Sequence, residues 1–210
     1  MRPAKHPDPT EAYAVLSNKP LLILLHGYGS NEHDLASLAG YLPENLNIVS
    51  LRAPIIMQTG SYTWFPVTES GNPPADVVAG AVQQVIAWLQ EEILSLKPSS
   101  IGLLGFSMGG AMTIQLLRTR PDLFAYGLNL SGFSVAGEEA QDAALAKKPV
   151  PLFWGYDIAD PVIPAAAIAR TAEFVPKHFQ LTERRYADMA HSISIEELED
   201  IAAFLTEHSV

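Results

Sequence analysis

The chain has 210 residues, 48% of them apolar and 17% charged, with a net charge of −10 and a pI near 4.9. That is enough for one sizeable core, and a single α/β domain over 1–210 is expected. The acidic balance argues against nucleic acid and against anionic membrane surfaces, and the absence of cysteine excludes disulfides, zinc thiolates and a cysteine nucleophile.

The opening MRPAKHPDPTEAY carries no apolar h-region, so no signal peptide is expected. The longest clean aliphatic run, Leu21–Leu25, is far too short to span a bilayer. The expected location is therefore the cytoplasm. Residues 1–10 read as a loose lead-in, and Tyr13–Leu16 as a short edge strand. Leu21–Leu25 reads as a buried strand running into His26-Gly-Tyr-Gly-Ser30. A glycine-rich loop at the carboxyl end of a strand is where open α/β sheets bind ligands. The N–H of Tyr28 is a candidate oxyanion donor there. Neither G-x-G-x-x-G nor a P-loop lysine is present, which argues against a nucleotide site.

Ser30 or Asn31 starts a predicted helix that Pro43 ends after Tyr41. Leu46–Leu51 is the next strand. Arg52-Ala-Pro54 then opens a long irregular stretch to about Ala75. Its apolar residues suggest an acyl-binding wall, and a loop packed by its own aromatics is an equal reading. Ile56, Met57, Trp64, Phe65 and, farther on, Val162 are the candidate substrate-binding residues. Over 76–96, Val78, Val82, Val85, Leu89 and Ile93 recur at helical spacing and give one apolar face.

Ile101–Phe106 is an apolar strand, and Ala111–Leu117 has helical composition. Between them lies Gly105-Phe-Ser107-Met-Gly109. By itself G-x-S-x-G arises by chance in about one chain in fifteen of this length. Between a strand and a helix it reads as a nucleophile elbow. Such a turn forces the serine into a strained conformation with its hydroxyl exposed, and leaves room only for hydrogen two positions either side. The helix N-terminus behind it favours developing negative charge. Met108 is the second candidate oxyanion donor.

Ala125–Leu130 is a further strand. Ser131 at its end lacks the elbow glycine and reads as a turn residue. Residues 134–148 read as a polar surface segment, Val150–Trp154 as a strand, Pro164–Phe174 as a helix and Phe179–Tyr186 as a strand. Ser194 with Glu197 forms a capping box for a last helix from about Ile195 to Leu205. Strands alternate with helices throughout, which implies a mostly parallel sheet covered on both faces.

A serine nucleophile needs a base, and the base an orienting acid. In the α/β-hydrolase arrangement these follow in the order Ser, Asp or Glu, His, each after a strand. Ser107, Asp160 and His191 fit that order. Asp157 competes for the acid, and Asp188 less strongly. His178 precedes a strand, His6 and His208 are terminal, His33 opens a surface helix, and His26 falls at the wrong point in the order. These five read as structural or surface residues. No metal-site spacing such as H-E-x-x-H occurs, and neither metal nor cofactor is expected.

The stretches LLHGYGSNEHDL (24–35), RAP (52–54), TWFP (63–66), LLGFSMGGAMT (103–113), FAYGLNLSG (124–132), DPVIP (160–164) and MAHSISIEELEDI (189–201) together resemble the phospholipase/carboxylesterase family of small α/β-hydrolases, which includes the acyl-protein thioesterases. The resemblance implies an α/β-hydrolase fold with no large lid domain. It implies Ser107 as nucleophile, Asp160 as acid, His191 as base, and backbone donors at Tyr28 and Met108. Three departures stand out. Four residues separate Trp154-Gly155 from Asp160 where the family usually has His-Gly and two residues, which keeps Asp157 open as the acid. Met108 replaces a common glutamine, and Pro66 a common aspartate. The expected function is a serine hydrolase cleaving carboxylic esters of short or medium acyl chains. A thioesterase, lysophospholipase, perhydrolase or amidase on the same triad is the alternative, and a non-catalytic ligand-binding scaffold the rival from another class. The expected partner is a small-molecule ester, with no nucleic acid and no stable membrane insertion; a homodimer is compatible with the sequence.

Overall fold

A computed structural model describes residues 18–67, 73–137 and 140–208. The lead-in and the edge strand expected at Tyr13–Leu16 lie outside them. Six strands form one parallel sheet: β1 (Leu21–Leu25), β2 (Asn47–Leu51), β5 (Ile101–Phe106), β6 (Tyr126–Leu130), β7 (Pro151–Tyr156) and β8 (Gln180–Arg185), in the order β2-β1-β5-β6-β7-β8. Strands β1, β2, β5, β6 and β7 are largely apolar and buried because both faces are covered, while β8 at the sheet edge is polar and exposed to half-buried along its length. Along β1, Leu21, Ile23 and Leu25 enter one core cluster while Leu22 and Leu24 enter the other, as the alternation of a pleated strand requires.

Helices α1 (Ala75–Trp88), α2 (Met108–Thr119), α3 (Asp142–Lys147) and α4 (Ala165–His178) contribute to the first cluster. Helix α5 (Ile195–His208) and a 3₁₀ turn at Leu35–Tyr41 cover the second. This is the α/β-hydrolase fold expected from the sequence, and no large lid domain interrupts the described residues. No helix among them is long and apolar enough to cross a membrane.

Several elements differ from the sequence reading. The stretch after Arg52 contains an antiparallel hairpin, β3 (Ile55–Gln58) and β4 (Ser61–Thr63). Its signal was present in the sequence: strand formers flank Gly60, which turns with φ 78°. The helix expected from Ser30 or Asn31 is reduced to the 3₁₀ turn. Asn31 ties the loop together instead, through the His33 N–H and the Gly60 carbonyl. The helix over 76–96 is α through Trp88, a π turn at Leu89–Ile93 and 3₁₀ at Leu94–Leu96.

The segment 134–148 is more than polar surface. It holds α3, buries Val135 and Leu145, and is anchored by the buried Arg118. That guanidinium donates to both Asp142 oxygens and to the Val135 and Gly137 carbonyls, and lies 4.4 Å over the Phe174 ring.

Candidate active site

The sheet order reverses at β1, which has β2 on one side and β5 on the other. A crevice at the carboxyl ends follows, since the chain leaves these strands in opposite directions. Leu25 pairs with Gly105, so the loop after β1 and the turn after β5 emerge side by side. Helix α2 starts at once after β5 and packs unusually close. A Cβ on Gly105 would stand 2.0 Å from the Gly109 carbonyl oxygen, and one on Gly109 would stand 1.8 Å from that of Leu25. Only glycine allows this, and the outcome is the expected elbow. Ser107 sits at φ 55° and ψ −116°, outside the regions that L-residues favour. Its N–H is held by the Leu130 carbonyl at 2.8 Å, and the residue is 8% exposed.

The loop after β8 brings His191 to Ser107, with Nε2 2.9 Å from Oγ across 84 positions of sequence. Nδ1 lies 2.7 Å from Asp160 Oδ2, in the loop after β7. A carboxylate accepts only, so Nδ1 carries the proton and Nε2 is left free to accept the serine O–H. Asp160 is fixed in turn, because its Oδ1 accepts the Val162 and Ile163 N–H groups at 2.7 and 3.0 Å. Phe106 packs on the imidazole with ring centroids 4.9 Å apart. Asp157, the competing acid, does not meet the ring. Its carboxylate accepts N–H groups from Ala159 and Ala190, which hold it below the usual aspartate range.

The loop Gly27–Ser30 is braced against β4. The Gly29 N–H donates to the Tyr62 carbonyl and the Tyr62 N–H to that of Ser30, both at 2.9 Å. Arg52 pairs through two nitrogens with the buried Glu32 and lies over the Tyr62 ring; the pairing holds the Glu32 carboxyl low. His26 is fully buried, and burial lowers its pKa. Its Nε2 accepts the Ala53 N–H at 3.1 Å, so Nδ1 bears the proton and donates to the Gly27 carbonyl at 2.8 Å. It is a core histidine, the structural one of the two readings the sequence left open. Met108 is buried, with the Thr63 hydroxyl 3.2 Å from its sulfur, while Tyr28 is half exposed.

The expected acyl wall divides. Ile56 is 72% exposed, and Met57 and Val162 also face solvent. Trp64 and Phe65 do not: they are 1% and 2% exposed, inside the first core cluster. The Trp64 indole N–H donates to the His26 carbonyl at 2.8 Å. Both rings are taken up by the core, so neither offers surface to an acyl chain, and the reading of a loop packed by its own aromatics holds for these two. Among the described residues no group of three or more His, Asp or Glu is placed to hold a metal ion.

A model of the family described as Phospholipase/Carboxylesterase matches residues 14–209. The chain belongs to the phospholipase/carboxylesterase family. It is 29% identical over 209 residues to acyl-protein thioesterase 1 of Kluyveromyces lactis, covering 90% of this chain and 92% of that protein. It is also 29% identical to a probable carboxylesterase of Oryza sativa subsp. japonica, over 70% of this chain and 58% of the relative. Among solved structures of this fold, a carboxylesterase from Mesorhizobium loti superposes with a TM-score of 0.78 at 17% identity, covering 92% of this chain and 91% of that one. SOBER1 of Arabidopsis thaliana gives 0.73 at 22%, covering 91% and 99%.

Proposed function

We propose that this member of the family is a serine hydrolase that cleaves carboxylic esters of short or medium acyl chains through an acyl-enzyme, with 1–210 acting as one hydrolase domain. The observation that carries the reading is the unbroken line from Ser107 Oγ through His191 to Asp160, at 2.9 and 2.7 Å. Ser107 Oγ attacks the carbonyl carbon as its proton passes to His191 Nε2. Asp160 keeps the ring in the tautomer that can accept, and stabilises the imidazolium. The N–H groups of Tyr28 and Met108 receive the oxyanion. The intermediate collapses, His191 gives the proton to the leaving oxygen, and the acyl group stays on Ser107. Water then attacks by the same route and restores the serine.

Exposed apolar side chains favour an apolar acyl group. Tyr28, Ile56, Met57, Ile158 and Val162, all on segments that follow the carboxyl ends of strands, are exposed. With no large lid among the described residues to wrap a long chain, hydrolysis of p-nitrophenyl esters is expected to peak at short or medium length and decline beyond. A steady rise towards long chains would contradict this. Thioester cleavage on the same three residues is the second reading, favoured by the end-to-end likeness to an acyl-protein thioesterase; parallel assays on an S-acyl substrate decide between them.

The test of the mechanism is labelling by a fluorophosphonate. Ser107→Ala abolishes labelling and lowers kcat by at least about a thousandfold, and Asp160→Asn lowers it by about 10³–10⁴. Folded wild-type protein that takes no label would leave a ligand-binding scaffold as the better account.

A further inference from the structure

The competing aspartate has a task of its own. Asp157 is 2% exposed and stands at the end of β7. Its Oδ1 accepts the Ala159 N–H at 2.8 Å, within its own loop. Its Oδ2 accepts the Ala190 N–H at 2.8 Å, 33 positions away and immediately before His191. Its backbone carbonyl accepts the Asp160 N–H at 3.2 Å. One residue therefore touches the loop carrying the acid and the loop carrying the base.

The base loop needs such support. Asp188 and Ala190 adopt left-handed backbone, at φ 60° and 56°. Alanine gains nothing in that region and persists there only where its surroundings hold it. The carboxylate of Asp157 supplies the hold, because the Ala190 N–H is directed into it. Release of Ala190 would let the turn relax and carry the adjoining His191 away from both Ser107 and Asp160.

We propose that Asp157 is a positioning residue for the base: its carboxylate clamps the turn before His191 onto the loop of Asp160 and so sets the distance from His191 Nε2 to Ser107 Oγ. The assignment rests on the serine-hydrolase reading above. It separates the two neighbouring aspartates by role. Asp160 meets the imidazole, and Asp157 meets only backbone N–H groups.

The test uses Asp157→Asn in the full chain, a near-isosteric change that replaces one accepting oxygen by an NH₂ facing an N–H. With folding checked by circular dichroism, kcat on p-nitrophenyl butyrate is expected to fall about 10- to 100-fold with KM within about twofold, the pattern of a reacting group displaced by a fraction of an ångström. The rate of fluorophosphonate labelling falls in the same proportion. Unchanged kcat in the folded variant would overturn the clamp. Amide hydrogen exchange on the wild type keeps the proposal testable if the variant does not fold. The Ala190 N–H is expected to be protected, and exchange at the rate of an unstructured amide would overturn the clamp. A wild type that neither labels nor hydrolyses esters, yet protects Ala190, would overturn the hydrolase reading while leaving the loop contact in place; the clamp would then hold a turn without a catalytic base and its catalytic role would fall too.

Discussion

Two buried ionisable side chains show how much depends on a single partner. His26 is satisfied at both nitrogens, with the Ala53 N–H on Nε2 and the Gly27 carbonyl on Nδ1. His26→Phe would keep the ring but strand the Ala53 N–H and remove one donor from Gly27. The expected cost is about 1–3 kcal/mol in urea unfolding, and a change below about 0.5 kcal/mol would show that the two bonds are dispensable. Glu197 is the opposite case. Its N–H is capped by Ser194 Oγ at 3.0 Å, but its own carboxyl does not return the bond. It turns inward beside Gly155, where a Cβ would stand 2.0 Å from Oε1, and both oxygens are buried without a partner. Burial, with Asp200 nearby, pushes the carboxyl up to about 8 from an ordinary 4.5. The folded state thus keeps a proton that the unfolded chain releases, so this group costs stability increasingly as pH rises from about 4.5 to about 8. Glu197→Gln removes that slope. Its melting temperature should gain on wild type across this window, and parallel curves would refute the shift.

At the scale of elements, the junction of β5 and α2 is set by backbone contact. A methyl group at Gly109 would meet the Leu25 carbonyl, which cannot move without breaking β1 from its neighbours. Gly109→Ala is expected to destabilise by at least about 3 kcal/mol or to prevent folding. Gly80, on the exposed side of α1, is the contrasting case, since a Cβ there would have no neighbour within 4 Å. Gly80→Ala should stabilise by about 0.5–1 kcal/mol through helix propensity. Thermal melts of the pair separate the two demands on glycine, and a tolerated Gly109→Ala would contradict the close approach.

For the whole molecule, parallel strands direct the loops that carry Tyr28, Ser107, Asp160 and His191 to one end of the sheet, and the chain as a whole carries a net charge of −10. A long-range field of this sign draws in cations and is screened by salt. The kcat/KM for a cationic ester should fall as ionic strength rises from about 0.01 to about 0.5 M, while a neutral ester changes little. Equal salt dependence of the two would show that the net charge does not reach the site.

The sequence by itself determined the features that are local or periodic. Apolar runs bounded by turns marked five of the six parallel strands, G-x-S-x-G between strand and helix marked the elbow at Ser107, and chain order narrowed the candidate acid and base to Asp160 or Asp157 and His191. Each of these is readable because a few neighbouring residues dictate the local backbone. Only the tertiary structure decided which aspartate meets the imidazole, since Asp157 and Asp160 share one loop and differ in what lies 31 to 33 positions away. It also decided that Trp64 and Phe65 belong to the core, that Arg118 is buried against Val135, Gly137 and Asp142, and that Glu197 faces inward. Aromatic and charged side chains look alike in a sequence whether they end in solvent or in a core. Their placement depends on hydrogen-bond partners and packing volume supplied by distant parts of the chain, which no local pattern records.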